Sequence, residues 1–270
     1  MYSASLESVA ASYTFELTGH ETSHQVVSIT GLAPVPAQIN TNTAAGLDGA
    51  YFNSSRLTSR NIVITLKLND PETVRRTLEQ YFPTKAAVRF HYSAGGRTVY
   101  IDGYVETFEC DLFSNNETAQ ISILCPQPMF KSSTLQSIIL NADHHTRSFE
   151  SVSANPTGIF IVASVAAAGG ISGISFENTV TGDTLTINYA FRQMDRIQIN
   201  TQQGEKEVVV LREVSGLHME INLVSKIVDG SKFPQASAGA ATFTYRVNGA
   251  ADELNKASVV MYYNETFPGV

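Results

Sequence analysis

The chain has 270 residues, a formal net charge of −7 and only 16% charged residues. Its length allows one large β domain or two ordinary ones, and its low charge is more typical of assembled, virion or secreted β proteins than of a free cytosolic enzyme. Lys and Arg form no run, which argues against a face for nucleic-acid phosphates or for an anionic membrane. We expect no secretory signal, because a basic and then apolar amino terminus is lacking, and no membrane insertion, because the most apolar run, Ile159–Ala168, is too short.

The first motif along the chain is His20, Glu21 and His24, which have the spacing of the zinc-binding HExxH helix of metalloproteases. That chemistry requires both imidazoles on one helical face, with the carboxylate activating a zinc-bound water. Gly19 and the hydroxyl residues inside the motif disfavour a helix, and in a strand the two imidazoles would be about 13 Å apart. We interpret the motif as a turn between the strand-like segments Tyr13–Leu17 and Gln25–Ile29. A metallohydrolase remains an alternative.

A short helix is predicted between two stretches that alternate with the period of a strand. Asn61–Leu68 places its apolar residues on one face, and Val88–Asp102 predicts a β-hairpin around a Gly-Gly turn. Between them, Asp70 is a suitable cap for a helix over about 70–82, with Pro71 at its first position. The apolar stripe of this helix would consist of Val74, Leu78 and Phe82.

A second hairpin is predicted over Gly103–Phe130. Cys110 and Cys125 lie on its two arms, and two cysteines do not make a disulfide framework. The alternation points both thiols inward, which leaves open that they are near neighbours, and we expect them to be reduced, buried side chains. The polar stretch Lys131–Thr134 then predicts a hinge. We place the domain boundary there, giving domains 1–132 and 133–270.

The second half reads as many short strands separated by turn residues, a pattern typical of an antiparallel sandwich. The predicted strands are Ile159–Val165, Gly173–Glu177, Thr184–Tyr189, Arg196–Asn200, Val208–Leu211, Met219–Leu223, Thr242–Val247 and Ser258–Tyr263.

The sequence offers few residues that could carry chemistry. His144 and His145 would point to opposite faces of a strand, which disfavours a shared metal, although a pH-sensing role is conceivable. Gly169–Gly173 has no following helix to hold a phosphate, and no GxSxG, SxxK or Walker A motif occurs. Aromatic residues such as Tyr262 and Tyr263 could line a sugar groove, but the chain has no Trp. We therefore expect no catalytic residue, no cofactor-binding residue and no metal ligand.

The chain resembles the distal tail protein (Dit) family of siphophages over most of its length. The most specific stretch is Ala119–Pro126, closed by Pro128–Phe130. The sequence departs from the family at Ala238–Ala241, where a Pro-Gly-Asn-like turn is common, and at the loop Leu211–Leu217. The other stretches that carry the resemblance are Gly46–Tyr51, Ser59–Ile62, Gln80–Lys85, Ile101–Glu106, Asn155–Gly158, Glu177–Asn178, Thr181–Asp183, Ile197–Thr201, Gln203–Val208 and Tyr262–Tyr263.

This resemblance implies a mainly β protein with two domains. Domain 1–132 would be a ring-forming, tail-tube-like β-sandwich or barrel with one short helix, and domain 133–270 a galectin-like antiparallel β-sandwich. The implied protein is a structural virion component and not an enzyme: it is made in the host cytoplasm and forms a homo-hexameric ring at the phage tail tip. The ring would join the tail tube protein to a Tal-like hub protein, anchor receptor-binding proteins or side fibres, and let DNA through as cargo.

The low charge of the chain is compatible with a ring. A ring subunit needs two different faces that meet with a closing rotation, and strand edges completed by neighbours need no protective charge. The principal alternative is a carbohydrate-binding adsorption module that acts through the second domain.

Overall fold

The structure is a computed structural model that describes residues 2–19, 23–43, 45–46, 48–111, 117–214, 216–248 and 253–270. It confirms a mainly β protein with a short helix in its first half. The chain divides into unit 1, which comprises Met1–Ser133 and Phe267–Val270, and unit 2, which comprises Thr134–Thr266. In the described residues, no helix has the length and apolar character that crossing a membrane requires.

Unit 1 contains the first nine strands and the helix; the tenth strand begins in unit 1 and continues into unit 2. Its elements are β1 (Ser3–Ser8), β2 (Tyr13–Glu16), β3 (His24–Thr30), β4 (Ala37–Asn42), β5 (Tyr51–Leu57), β6 (Arg60–Leu68), α1 (Pro71–Tyr81), β7 (Ala87–Ala94), β8 (Arg97–Asp111), β9 (Thr118–Cys125) and β10 (Phe130–Leu140).

The long strand β8 organises unit 1 because its two halves pair with different neighbours. Its first half pairs with β7, which continues through β1 to β2, and with the start of β10. Its second half pairs with β9, which continues through β6 to β3. The predicted alternation holds along β6, where Ile62, Ile64 and Leu66 are fully buried. These side chains meet those of β7, β8 and β9 in one core.

Helix α1 covers part of this core. The Asp70 carboxylate accepts a hydrogen bond from the Thr73 amide at 3.4 Å, so the predicted cap is confirmed. Val74, Leu78 and Phe82 are buried as predicted, and the Tyr81 ring stacks on the ring of Tyr13 at a centroid distance of 3.9 Å. The helix therefore closes the core by its apolar stripe.

Unit 2 contains the remaining strands and two short 3-10 helices, Val224–Lys226 and Leu254–Lys256. The strands are β11 (Thr146–Ser151), β12 (Phe160–Val165), β13 (Ile171–Asn178), β14 (Asp183–Phe191), β15 (Arg196–Asn200), β16 (Glu207–Val214), β17 (Leu217–Asn222), β18 (Gly239–Val247) and β19 (Ala257–Phe267).

The strands of unit 2 form two sheets that face each other across an apolar core. One runs in the order β17-β16-β15-β12-β19-β10 and the other in the order β11-β18-β13-β14. Alternate residues of both sheets, such as Ile161, Ile199, Phe176 and Phe243, are fully buried between them. All eight strands predicted for this half are present; six are longer than predicted, by one to five residues, one has the predicted length and one is a residue shorter.

Three expectations for the first half are wrong. The polar stretch Lys131–Thr134 is not a loop but lies inside β10, because Ser and Thr suit an exposed strand as well as a loop; the two units nevertheless divide inside it, between Ser133 and Thr134. Cys110 and Cys125 are not near neighbours: Cys110 lies opposite Ala119, six residues along β9 from Cys125. Both thiols are free, but only Cys125 is buried, so the expectation of two buried side chains is wrong for Cys110. The domains 1–132 and 133–270 stay predictions as functional modules.

Candidate assembly surfaces

The most unusual feature of unit 1 is a ribbon formed by β4 and β5. All thirteen residues of these two strands are exposed, and the strands form a sheet of two, paired with each other. The antiparallel register runs from Ala37 opposite Leu57 to Asn42 opposite Tyr51, with a bulge beside Asn40. A two-stranded ribbon that rests on no core is only marginally stable in water, so it is a candidate for completion by another surface.

The two faces of the ribbon differ in polarity. Residues that are directly opposite in a ladder share a face. On one face, Arg56 donates to Gln38 at 2.9 Å and Asn40 donates to Ser54 at 3.0 Å. The register places Ile39, Phe52 and Leu57 on the other face, where they are 61%, 68% and 40% exposed. We call this second side the apolar face of the ribbon.

The strand that precedes the ribbon is also open to a partner. β3 pairs on one side with β6, and its Val27 side chain is 60% exposed. From Thr22 to Leu47 the sequence contains no Asp, Glu, Lys or Arg. Free strand edges are usually protected by charge. The absence of charge from β3 and β4, beside the single charged residue Arg56 in β5, is therefore typical of surfaces that are covered on assembly.

A polar cluster occupies the face of β7 and β8 that points away from the core. The Arg89 guanidinium donates to Asp102 at 2.7 Å and lies 4.3 Å above the ring of Tyr100. Burial alone would lower the pKa of Arg89, but the Asp102 carboxylate raises it overall. His91 contacts Glu7 at 2.8 Å on the neighbouring strand. Acidic and basic groups therefore alternate across this face.

A cleft of about 640 Å³ opens in unit 2 beside the end of β14. Tyr189 and Phe191 line it together with the guanidinium of Arg212, which lies 5.5 Å from the Tyr189 ring. Arg212 donates to both oxygens of the buried Asp195, at 2.8 and 2.5 Å. Burial would raise the pKa of Asp195, but its hydrogen bonds from Arg212 and from the Arg192 amide lower it overall. The pair is thus a fixed charged element in the wall of the cleft.

The structure describes the predicted motif at His24 and Ser23. His20 and Glu21 lie outside the described residues. His24 is buried and stacks on Phe15; one ring nitrogen contacts the Glu16 carbonyl at 2.9 Å and the other the Ser23 hydroxyl at 3.1 Å. Since both nitrogens are occupied, His24 acts as a packed polar side chain. Among the described residues, no cluster of three potential metal ligands occurs.

The other residues considered from the sequence lie in separate places. His144 and His145 are exposed in a turn, with the His144 amide bonded to Asn141. Tyr263 is only 6% exposed and packs against Phe149, so it belongs to the core of unit 2 and does not line a groove. Gly170 lies in the wall of the unit 2 cleft.

Sequence reasoning missed the ribbon and both buried arginines, Arg60 and Arg212. The missing charge between Glu21 and Asp48 was a usable signal for the ribbon. The arginines gave no local signal, because the groups they contact are not sequence neighbours: Pro268 lies 208 residues from Arg60, and Asp195 lies 17 residues from Arg212.

Solved structures resemble this chain over its whole length. The structure of the Dit protein of phage SPP1, described as a paradigm of the hub adsorption apparatus in phages that infect Gram-positive bacteria, aligns with a TM-score of 0.69 at 13% identity and covers 99% of both chains. Two structures of the activated phage p2 baseplate, with Sr and with Ca, align over 100% of both chains at 10% identity with TM-scores of 0.55 and 0.56. No family model and no curated protein sequence matches. The chain therefore has the fold of a phage distal tail protein, which confirms the predicted resemblance at the level of fold.

Proposed function

We propose that this chain is a structural subunit of the tail end of a long-tailed bacteriophage. Copies of it form a homo-hexameric ring that joins the tail tube protein to a Tal-like hub protein. Unit 1 acts as the tail-tube-like module that builds the ring, and unit 2 acts as a galectin-like module that offers docking surfaces for receptor-binding proteins or side fibres. The protein is made in the host cytoplasm, is incorporated into the virion and performs no reaction.

The observation that carries this proposal is a fold shared over 99% of both chains with the SPP1 Dit protein. A likeness that spans both units favours a common architecture over the chance similarity of one β-sandwich. It supports a role in the tail, whereas the closure of the ring is argued from the surface of unit 1 itself.

The ribbon and the edge of β3 support assembly. Ring closure requires one surface of a subunit to meet a different surface of the next. The apolar face of the ribbon supplies one such surface, since Ile39 and Phe52 find no cover in the described part of unit 1. The neighbouring subunit would bury these side chains and complete the ribbon.

The channel of the ring would carry DNA as passing cargo. A wall that binds phosphates would slow the passage of DNA, and the net charge of −7 opposes such binding. The polar face with Arg89, Asp102, His91 and Glu7 is the candidate wall, because its basic groups are paired with carboxylates. Neutralising Glu7 and Asp102 should then slow DNA ejection and make it more sensitive to salt. An unchanged ejection rate and salt dependence would remove this assignment.

The mass of the assembled species tests the proposal directly. Native mass spectrometry of the full chain should reveal a species of about 176 kDa, six times 29.3 kDa, and electron microscopy should show an annular particle. If the chain stays at 29.3 kDa even when mixed with purified tail tubes, the ring is refuted.

The cleft in unit 2 favours a second candidate function, a carbohydrate-binding module for host adsorption. An aromatic ring beside a fixed guanidinium, as in Tyr189 and Arg212, suits stacking against a sugar with hydrogen bonds to its hydroxyls. A glycan array probed with the full chain should then give signals that Tyr189→Ala removes. An array without signal at millimolar sugar would eliminate this candidate.

A further inference from the structure

Arg60, at the start of β6, is among the largest fully buried side chains of the described residues. Its Nε donates to the Pro128 carbonyl at 2.8 Å, and its Nη1 donates to the carbonyls of Gly31 and Ala33. Its Nη2 donates to the Pro268 carbonyl, and its Cζ lies 4.5 Å from the centre of the Phe130 ring. The guanidinium is thus satisfied by backbone carbonyls from separate segments of unit 1. Burial lowers the pKa of Arg60.

Two of these acceptors belong to the segment that connects β3 with the ribbon. Gly31 has φ +84°, and a Cβ at this position would lie 2.0 Å from the Asn61 carbonyl oxygen, so the connection is pressed against β6. At the other leg of the ribbon, both the amide and the hydroxyl of Thr58 donate to the Pro36 carbonyl. The ribbon therefore leaves unit 1 directly beside Arg60.

The tail Phe267–Val270 holds the same connection from another side. The Val270 amide donates to the Leu32 carbonyl at 3.1 Å. A Cβ on Gly269 would lie 2.7 Å from Cδ of Pro34, so the tail and the connection are in close contact. The side chain of Phe267 is buried, with the Arg97 guanidinium 4.1 Å above its ring. We call Arg60, the connection Gly31–Pro36 and this tail the mount of the ribbon.

We propose that the mount fixes the direction in which the ribbon leaves unit 1, so that Arg60 and the tail are positioning elements of the assembly surface. This inference rests on the proposed function. Since every residue of β4 and β5 is exposed, the ribbon can receive its direction only from its base. Six residues of a strand span about 20 Å, so a tilt of about 10° at the base displaces the tip by about 3 Å, enough to misplace Ile39 and Phe52 against a neighbour.

Arginine suits this task for a geometric reason. Its planar guanidinium presents five donors in fixed directions, whereas a lysine ammonium has three donors on one nitrogen and cannot serve all four carbonyls that Arg60 bonds. Arg60→Lys therefore keeps the charge but releases part of the mount. Gly269→Val displaces the tail from Pro34 by a different route and leaves Arg60 intact.

Hydrogen exchange measured by mass spectrometry tests the proposal in the full chain, at a concentration below that at which it associates. Both variants should speed the exchange of the ribbon amides about tenfold relative to the wild type, with little change in β7 and β8. Both should also lower the fraction of assembled species at high concentration. Arg89→Lys is the matched control for the arginine substitution. Ile101→Ala, which leaves a cavity in the core beside β8, controls for a general loss of stability. Neither control should speed the exchange of the ribbon amides selectively.

The outcomes separate this inference from the proposed ring. Unchanged ribbon exchange in Gly269→Val, or exchange that rises equally throughout unit 1 as in Ile101→Ala, overturns the mount even if Arg60→Lys fails to fold. If the wild type never associates but both variants release the ribbon, the mount stands and the ring falls.

Discussion

The apolar face of the ribbon should hold the assembly together without contributing to the stability of the subunit. We would replace Ile39 with Asn and Phe52 with Ser in one chain. Both side chains are mainly exposed in the subunit, at 61% and 68%, so their loss should change the free energy of unfolding by less than about 0.5 kcal/mol. A contact with the next subunit would bury them, so the effect should appear only on association.

The size of this effect follows from the exposed fractions. Complete burial of an Ile or Phe side chain contributes about 1.5–3 kcal/mol, and about two thirds of each side chain is available for burial by a neighbour. The two substitutions should therefore cost about 3 kcal/mol at each contact between subunits. Since about 1.4 kcal/mol corresponds to a factor of ten, each contact should weaken by about a hundredfold.

Sedimentation velocity over a range of concentrations would measure this loss, and thermal unfolding would verify that the subunit stays intact. Tyr51→Ser is a close control, because Tyr51 is 59% exposed and adjacent to Phe52 but lies on the opposite face of the ribbon. It should leave the assembly in place. If the double variant sediments as the wild type does, or if Tyr51→Ser dissociates the assembly equally, the apolar face is not the contact.

Three further predictions concern the subunit alone. Asp195→Asn should lower the free energy of unfolding by about 3 kcal/mol in urea titrations, because it leaves the buried Arg212 without its carboxylate. The pKa of Asp195 is lowered in the folded protein, so in the wild type its contribution to the free energy of unfolding should be complete above the unfolded pKa of about 3.9. This contribution should be lost as the pH falls through the folded pKa. A free energy of unfolding that does not change over this pH range would contradict the pairing. Burial raises the pKa of Cys125 to about 12, so iodoacetamide at pH 8 should label Cys110 well before Cys125 in the folded protein, and equal rates would refute its burial. Asp70→Ala should lower the free energy of unfolding by about 1 kcal/mol, because the helix loses its cap. Guanidinium titrations that detect no such decrease would show that the cap does not stabilise the protein.

Local patterns predicted the regular elements well. Alternation identified β6, β9 and most strands of unit 2 because these strands bury one face against a core, and Asp70 with Pro71 located the start of the helix. The same rule failed for the ribbon, whose apolar face has no core to contact and whose polar face looks like a loop in the sequence.

The contacts of the two buried arginines, Arg60 and Arg212, were less predictable because they join separate segments of the chain. Arg60 receives its partners from positions up to 208 residues away, so no spacing rule identifies it. Arg212 and Asp195 are closer in sequence, but the pairing of β15 with β16, in which Arg196 lies opposite Leu211, is what brings them together. The polar stretch Lys131–Thr134 was predicted as a hinge although it lies in β10, because hydroxyl residues occur in exposed strands as well as in loops.

The tail Phe267–Val270 has a consequence for the order of events during synthesis. A ribosome makes these residues after all of unit 2, yet they complete the packing of unit 1 through Phe267, Pro268 and Val270. Until they emerge, the Arg60 guanidinium lacks one of its acceptors and the ribbon lacks part of its support. Until residues 267–270 have emerged and packed against unit 1, the chain should therefore be incompetent for the association proposed above.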